Sequence, residues 1–326
     1  MIQEMQADAS GRVTRDDLER EIAGVVSGPG DPRHGIFGPG SMTWRVNRES
    51  ALFLGAGRAA LLQLAHPWVA TALEQHSSLL ADPIARFHNT FRVVFTMVFG
   101  STGQAVAASR SLHHLHTRIE GEIPATLGVY QKGSHYEANF IPALLWVYAT
   151  LVDSAVLAYE TVLPPLSEAE RNAYFTESKT LAALFGIPRS ALPSDWAALR
   201  AYAETMWGSD ALGVDDRARS MAHALLAGSG SWVRPPRWYR ALTAQWMPER
   251  LREGFALKLA TEDQRSAARA RKWLPGAYRR LPAALRYVGP YHEAESRLAQ
   301  RKPGPWTRTS NHFWIGQAHL PFGDLR

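Results

Sequence analysis

The stretch from Asp82 to Gly121 constrains the fold most, because its apolar residues recur at helical spacing through two consecutive segments parted by Gly100. Asp82 can cap the first segment, and Pro83 suits its first turn, where a missing N–H costs nothing. Ile84, Phe87, Phe91, Val94, Phe95 and Val98 then form one stripe, and Gly100 predicts its end. Ser101-Thr-Gly-Gln104 has the form of a capping box, so a second helix runs from there towards Gly121. No period-two alternation persists anywhere in the chain. The expected class is therefore all-α, a single large helical bundle.

These two helices also carry polar side chains that burial alone would not select. Arg86, Asn89 and Thr90 stand at i, i+3 and i+4 and share one face beside the apolar stripe. On the second helix Val106, Ser109, His113, His116 and Glu120 fall on one face. Two antiparallel helices joined at Gly100 would point Arg86, Thr90 and His116 into a common cavity. His88, at i+2 from Arg86, points elsewhere; a surface role is expected, with proton donation as the sharper alternative.

At 326 residues and 46% hydrophobic content the chain can bury one large core. The expected division is an N-terminal extension over 1–40, largely loop with one helix from Arg15 to Ala23, a helical domain over 41–300, and a poorly ordered tail over 301–326. No window approaches the ~18 uninterrupted apolar residues of a membrane span. The first residues lack signal-peptide features, so a cytoplasmic location is the default expectation. With no cysteine, disulfides, thiolate ligands, iron–sulfur clusters and covalent haem attachment are excluded. The net charge of +6 is enriched near the C-terminus, as in Arg269-Ala-Arg271-Lys272 and Arg279-Arg280; a solvated surface is expected there, and no nucleic-acid partner. From Trp232 onward Trp, Arg and Pro recur, which reads as helices broken by proline and packed through Trp.

Leu54-Gly55-Ala-Gly57-Arg58-Ala-Ala60 fits a dinucleotide-binding fingerprint, with Glu74 near the ribose-contact distance. That fingerprint has meaning only between a strand and a helix, and no second strand follows, so a helix opening near Gly57 is expected instead. His66, beside Pro67, and His76 suit hydrogen-bonded core or capping positions, with lining of the cavity as the alternative. Pro124 to Asn139 reads as loop. Pro142 opens a strongly apolar helix whose Trp146, Thr150 and Asp153 share a face; Asp153 is expected to bond a neighbour, or with Thr150 to border the cavity. Ser167-Glu-Ala-Glu170 caps a further helix, and Ser194 begins one more.

Glu-x-x-His, His-Glu-x-x-His and Gly-x-Ser-x-Gly are all absent, which removes the carboxylate di-iron, zinc protease and hydrolase-elbow readings. What remains is a histidine on a buried helix, flanked by arginine, in a chain without cysteine. One neutral imidazole suffices as the protein's axial ligand to a non-covalent haem, and basic residues then neutralise its propionates. From these residues alone a purely structural His116 is the favoured reading.

Taken in order, Gly57-Arg58 through Leu61-Leu-Gln63-Leu-Ala-His66-Pro67, His76-Ser77, Asp82-Pro83-x-x-Arg86-x-x-x-Thr90, Val98-Phe99-Gly100, His116-x-x-Ile119-x-Gly121 and Trp146-Val-x-Ala-Thr150-Leu-x-Asp153-Ser154 resemble the rubber oxygenase family. That family includes the latex-clearing proteins and the mycophenolic-acid pathway oxygenases. The match runs over residues 37–210, and Leu281-Pro-x-x-Leu285-Arg286 is similar to its C-terminal signature. The resemblance implies a globin-like core that binds haem b, with His116 as proximal iron ligand and Arg86 and Thr90 as the distal-side pair. His66 and Thr150, inside the matching motifs, are counted as further cofactor-lining residues. Asn89 stands where latex-clearing proteins carry a lysine that can occupy the distal iron position, and Tyr148 where the family has histidine. The implied activity is a haem b-dependent oxygenase using dioxygen on a hydrophobic small molecule, by oxidation or C=C cleavage of an alkene or prenyl-like chain. The alternative is a haem- or lipid-binding helical protein without turnover.

Overall fold

Side-chain caps set the boundaries of many helices. The computed structural model describes residues 11–27, 31–77, 82–229 and 234–322; Trp232 lies outside the described residues. Helix α1 (Arg15–Val26) opens on Thr14 and α2 (Met42–Asn47) on Ser41. Helices α3 (Phe53–Leu64) and α4 (Pro67–His76) are parted at His66, where the following proline disfavours helical backbone. Asp82 accepts the Ala85 N–H at 2.9 Å to start α5 (Pro83–Phe99), and the reciprocal Ser101/Gln104 box starts α6 (Thr102–His116). A hairpin follows, β1 (Glu120–Glu122) antiparallel to β2 (His135–Glu137), with Gly121 opposite Tyr136. Then come α7 (Ile141–Val162), α8 (Glu168–Leu184), α9 (Trp196–Gly208), α10 (Asp216–Ala227), α11 (Arg237–Trp246) and α12 (Glu249–Gly254). The described chain closes with α13 (Thr261–Arg280), α14 (Ala283–Arg286), α15 (Gly289–Leu298) and α16 (Pro305–Ile315).

The fold is all-α apart from that hairpin, whose three-residue strands are too short to show a period. Its second strand occupies part of the expected loop after Pro124. Helix α7 is the axis of the bundle and packs against α3, α8, α9 and α13. By length and composition it could cross a membrane, with a mean hydropathy of 1.7, yet 67% of that window is buried inside the protein.

Close approach of α3 to α7 depends on Gly55: a Cβ there would lie 2.5 Å from the Ser154 carbonyl oxygen. The two glycines of the apparent dinucleotide fingerprint therefore serve helix packing. Helix α3 begins at Phe53 and not near Gly57, because a 3-10 turn over Ser50–Leu52 leads straight into it. Gly57 sits inside the helix and donates its N–H to the Tyr239 hydroxyl at 3.0 Å.

Other expectations need correction. Pro275 lies within α13 and does not end it. Helix α9 takes its cap from Asp195, to which Ser194 donates a hydrogen bond. The stretch after Gln300, expected to be poorly ordered, contains α16, whose Trp314 ring stacks on Phe53 at 4.2 Å. The aromatic faces of Phe53, Phe87 and Phe91 complete that contact, so burial of large rings fastens the C-terminal helix to α3 and α5.

Two buried charge networks hold the helices in register. Glu49 accepts two bonds from Arg286, at 2.7 and 2.9 Å, and one from the Tyr278 hydroxyl at 2.9 Å, tying the Leu281–Arg286 motif to the segment after α2. Asp153 of α7 binds Arg58 of α3 at 2.7 Å and Arg200 of α9 at 2.5 Å.

Candidate functional site

Helices α5 and α6 pack antiparallel through Gly100, where the backbone turns sharply: a Cβ at that position would stand 2.4 Å from the Thr96 carbonyl oxygen. This places the N-terminal half of α5 beside the C-terminal half of α6. Arg86 and His116 are thereby brought close enough for the guanidinium charge to act on the imidazole. Thr90 stands one turn beyond Arg86, and its hydroxyl donates to the Arg86 carbonyl at 3.0 Å. Its oxygen lone pairs remain available as acceptors.

Burial, reinforced by the positive charge of Arg86 and by His113, holds the His116 imidazole down to about 4. The ring is therefore neutral at pH 7 and keeps a lone pair. Burial also lowers the Arg86 guanidinium below its ordinary value, with no opposing carboxylate. Among the described residues Arg86 has no ion-pair partner and its guanidinium makes no hydrogen bond. A desolvated cation without a counter-charge is costly, which singles this residue out from the paired arginines around it. Arg86, Thr90 and His116 nonetheless retain partial accessible surface, as do Val147 and Leu151 on the central helix.

One neighbour was not legible beforehand. Asn139, fully buried just before α7, reaches the His116 ring with its side chain while its Nδ2 donates to the His113 carbonyl at 3.4 Å. Nothing in the spacing signals it, since it lies in a stretch read as loop.

The remaining histidines face other partners. His66 is buried and pushed down to about 4 by desolvation, with its Nε2 bonded to the Tyr130 hydroxyl at 3.2 Å. His76 bonds Tyr136 and the Glu120 carbonyl, both at 3.1 Å. His88 donates to the Phe313 carbonyl at 3.1 Å, and His113 to Val13 at 3.1 Å. Thr150 donates to the Val147 carbonyl and accepts from Gln63 at 3.0 Å. Asn89 is exposed, on the outer edge of the face it was expected to share with Arg86 and Thr90. Tyr148 turns to α8, where its hydroxyl meets Ser178 at 2.7 Å.

The donor set defines the kind of cofactor the site suits. Among the described residues no three His, Asp or Glu side chains gather as a directly held metal ion would require. A lone neutral imidazole beside an uncompensated guanidinium fits a cofactor that brings its own metal ligands and its own negative charge. The helical domain belongs to an oxygenase-type class: residues 44–276 match the family model described as ER-bound oxygenase mpaB/B'/Rubber oxygenase, catalytic domain. That span is well over half of the chain, and the chain belongs to this family. No curated protein and no solved structure matches it.

Proposed function

We propose that this chain is a haem b-dependent oxygenase that uses dioxygen to oxidise or cleave a hydrophobic small molecule of alkene or prenyl-like character. The observation that carries the reading is the buried, unpaired Arg86 guanidinium held beside the neutral imidazole of His116. Haem, when bound, supplies the iron at which dioxygen is activated.

His116 would hold the haem iron through its neutral ring, and Asn139 would steady that ring. Arg86 supplies fixed positive charge in a poorly solvated site, suited to a cofactor carboxylate or to negative charge developing during reaction. Thr90, anchored on the Arg86 carbonyl, offers oxygen lone pairs one helical turn away. Phe87 and Phe91, on the helix that carries Arg86, add apolar rings packed on Phe53, while His66 and Thr150 are already bonded to Tyr130 and Gln63.

The test is the visible spectrum of the purified protein, as isolated and after haem addition, beside His116→Ala. A Soret band that disappears in the variant supports the site, and product formation that requires dioxygen supports turnover. No band after reconstitution sinks the reading. A band with no dioxygen-dependent product favours the carrier alternative.

A further inference from the structure

Charge is distributed unevenly along this chain. Residues 264–322 contain eleven Lys and Arg but only two acidic residues, Glu293 and Glu295, whereas the whole chain has 36 against 30. Elsewhere several exposed arginines are paired, as in Arg20–Asp17 at 2.9 Å, Arg110–Glu19 at 2.6 Å and Arg237–Glu262 at 2.7 Å. Within 264–322 nine Lys and Arg are exposed, among them Lys272, Arg279, Arg280, Arg301, Lys302 and Arg308, and none has a carboxylate partner among the described residues. Glu293 is turned inward, holding Asn311 and the Leu320 N–H.

The same surface exposes large apolar side chains. Trp273 is 48% exposed, Leu285 50%, Trp306 49% and Phe313 53%, with Leu281 between them in sequence at 39%. On α13, Trp273, Ala277 and Arg280 share one outward face, and every residue from Arg279 to Leu285 is exposed. Trp306 ties α16 to this run by donating its Nε1–H to the Ala284 carbonyl at 3.1 Å. Phe313 continues along the same face of α16, two turns on. The result is one ridge of indole, phenyl and leucine side chains set among uncompensated cations.

We propose that the face formed by α13, α14 and α16 docks on an anionic lipid membrane. Tryptophan rings favour the interfacial depth, leucine and phenylalanine insert below it, and arginine and lysine bind headgroup phosphates. A nucleic acid would satisfy the cations but leave Leu281 and Leu285 in water. Helix α16 also lies against α5, through the His88 bond to the Phe313 carbonyl at 3.1 Å and the Arg92 bond to the Ile315 carbonyl at 3.0 Å. Docking therefore sets the helix that carries Arg86 and Thr90 next to the lipid, where apolar substrates concentrate. That consequence rests on the oxygenase reading; the docking itself does not.

Vesicle flotation of the full chain tests it, using pure phosphatidylcholine and phosphatidylcholine with phosphatidylserine at low and high ionic strength. The chain is expected to float with the anionic vesicles only, with a blue shift in tryptophan emission. Arg279→Glu with Arg280→Glu should weaken partitioning by about tenfold or more. Leu285→Ser with Trp306→Ser should abolish the fraction that resists high salt, and circular dichroism should find both variants folded. Absence of flotation, or equal flotation of the variants, overturns the proposal. So does binding that double-stranded DNA displaces fully while the Leu285/Trp306 variant behaves as wild type, which identifies a polyanion site instead. Haem content is read separately by absorbance, so loss of the oxygenase reading leaves this result interpretable.

Discussion

Arg86 and His116 stand on consecutive helices near enough for the guanidinium charge to act on the imidazole, with no carboxylate acting on either, so that charge helps keep the imidazole neutral. An uncompensated buried charge destabilises the cofactor-free protein, and removing it should relieve that cost. Arg86→Met is expected to raise the urea-unfolding stability of the cofactor-free protein by about 1–3 kcal/mol while lowering haem affinity by roughly tenfold. Arg86→Lys, which keeps the charge but not the planar fork, should fall between on affinity. A loss of stability in Arg86→Met would mean that the side chain serves the fold and not a ligand.

Asn139 sets a second expectation. A side-chain amide against one nitrogen of an imidazole fixes the ring's orientation and tautomer and leaves the other nitrogen free to bind. Asn139→Ala should retain a Soret band with haem affinity lowered by about ten- to a hundredfold. Asn139→Asp should make the imidazole a stronger donor and lower the reduction potential, read by spectroelectrochemistry. Unchanged affinity and potential in both variants would remove Asn139 from the site.

Most of this architecture was legible because helices announce themselves locally. Asp82, Ser101 and Ser167 cap where their side chains can reach the N3 amide, and the period of Phe87, Phe91 and Phe95 fixes the buried face of α5 without knowledge of what covers it. Arg86, Thr90 and His116 can be assigned to neighbouring helices for the same reason, since the Asp82 and Ser101 caps and Gly100 fix where each helix begins and ends. Long-range partnerships were not. Asn139 reaches His116 from a loop, Tyr130 reaches His66 across 64 residues, and Arg58 finds Asp153 across helices. Terminal position alone reads helix α16 as part of a tail, whereas its order comes from Trp314 stacking on Phe53.

His66 predicts a pH dependence of stability. Its folded value of about 4 lies below the ordinary 6.5 because desolvation penalises the cation. As pH falls below about 6.5 the unfolded chain takes up a proton that the folded chain refuses until about pH 4, so stability declines across that window. The loss attributable to this residue is at most about 3 kcal/mol. His66→Phe should flatten the urea midpoint between pH 6.5 and 4, after an offset for the lost bond to Tyr130. A wild-type midpoint that already stays level through this range would contradict the assignment.

Asp153 is the most exacting position in the bundle, because its single negative charge serves two arginines. Arg58 is 3% exposed and has no other carboxylate; its remaining bonds go to the Ser154 hydroxyl at 2.8 Å and the Trp246 carbonyl at 2.9 Å. Both guanidinium groups also lie near the Trp207 ring, at 5.7 Å for Arg58 and 5.0 Å for Arg200. Arg200 reaches solvent and Glu204, so it can be rehydrated when Asp153 is lost, whereas Arg58 cannot. Asp153→Ala should therefore cost about 3–5 kcal/mol, most of it from stranding Arg58. Arg200→Ala should cost roughly 1 kcal/mol, as for a partly exposed pair. The double variant Arg58→Met with Asp153→Leu should recover much of the loss, since matched apolar replacement of a buried pair is often close to neutral. Chemical unfolding of the three variants decides the matter: if Asp153→Ala and Arg200→Ala prove equally mild, water reaches Arg58 and the network is not a closed one.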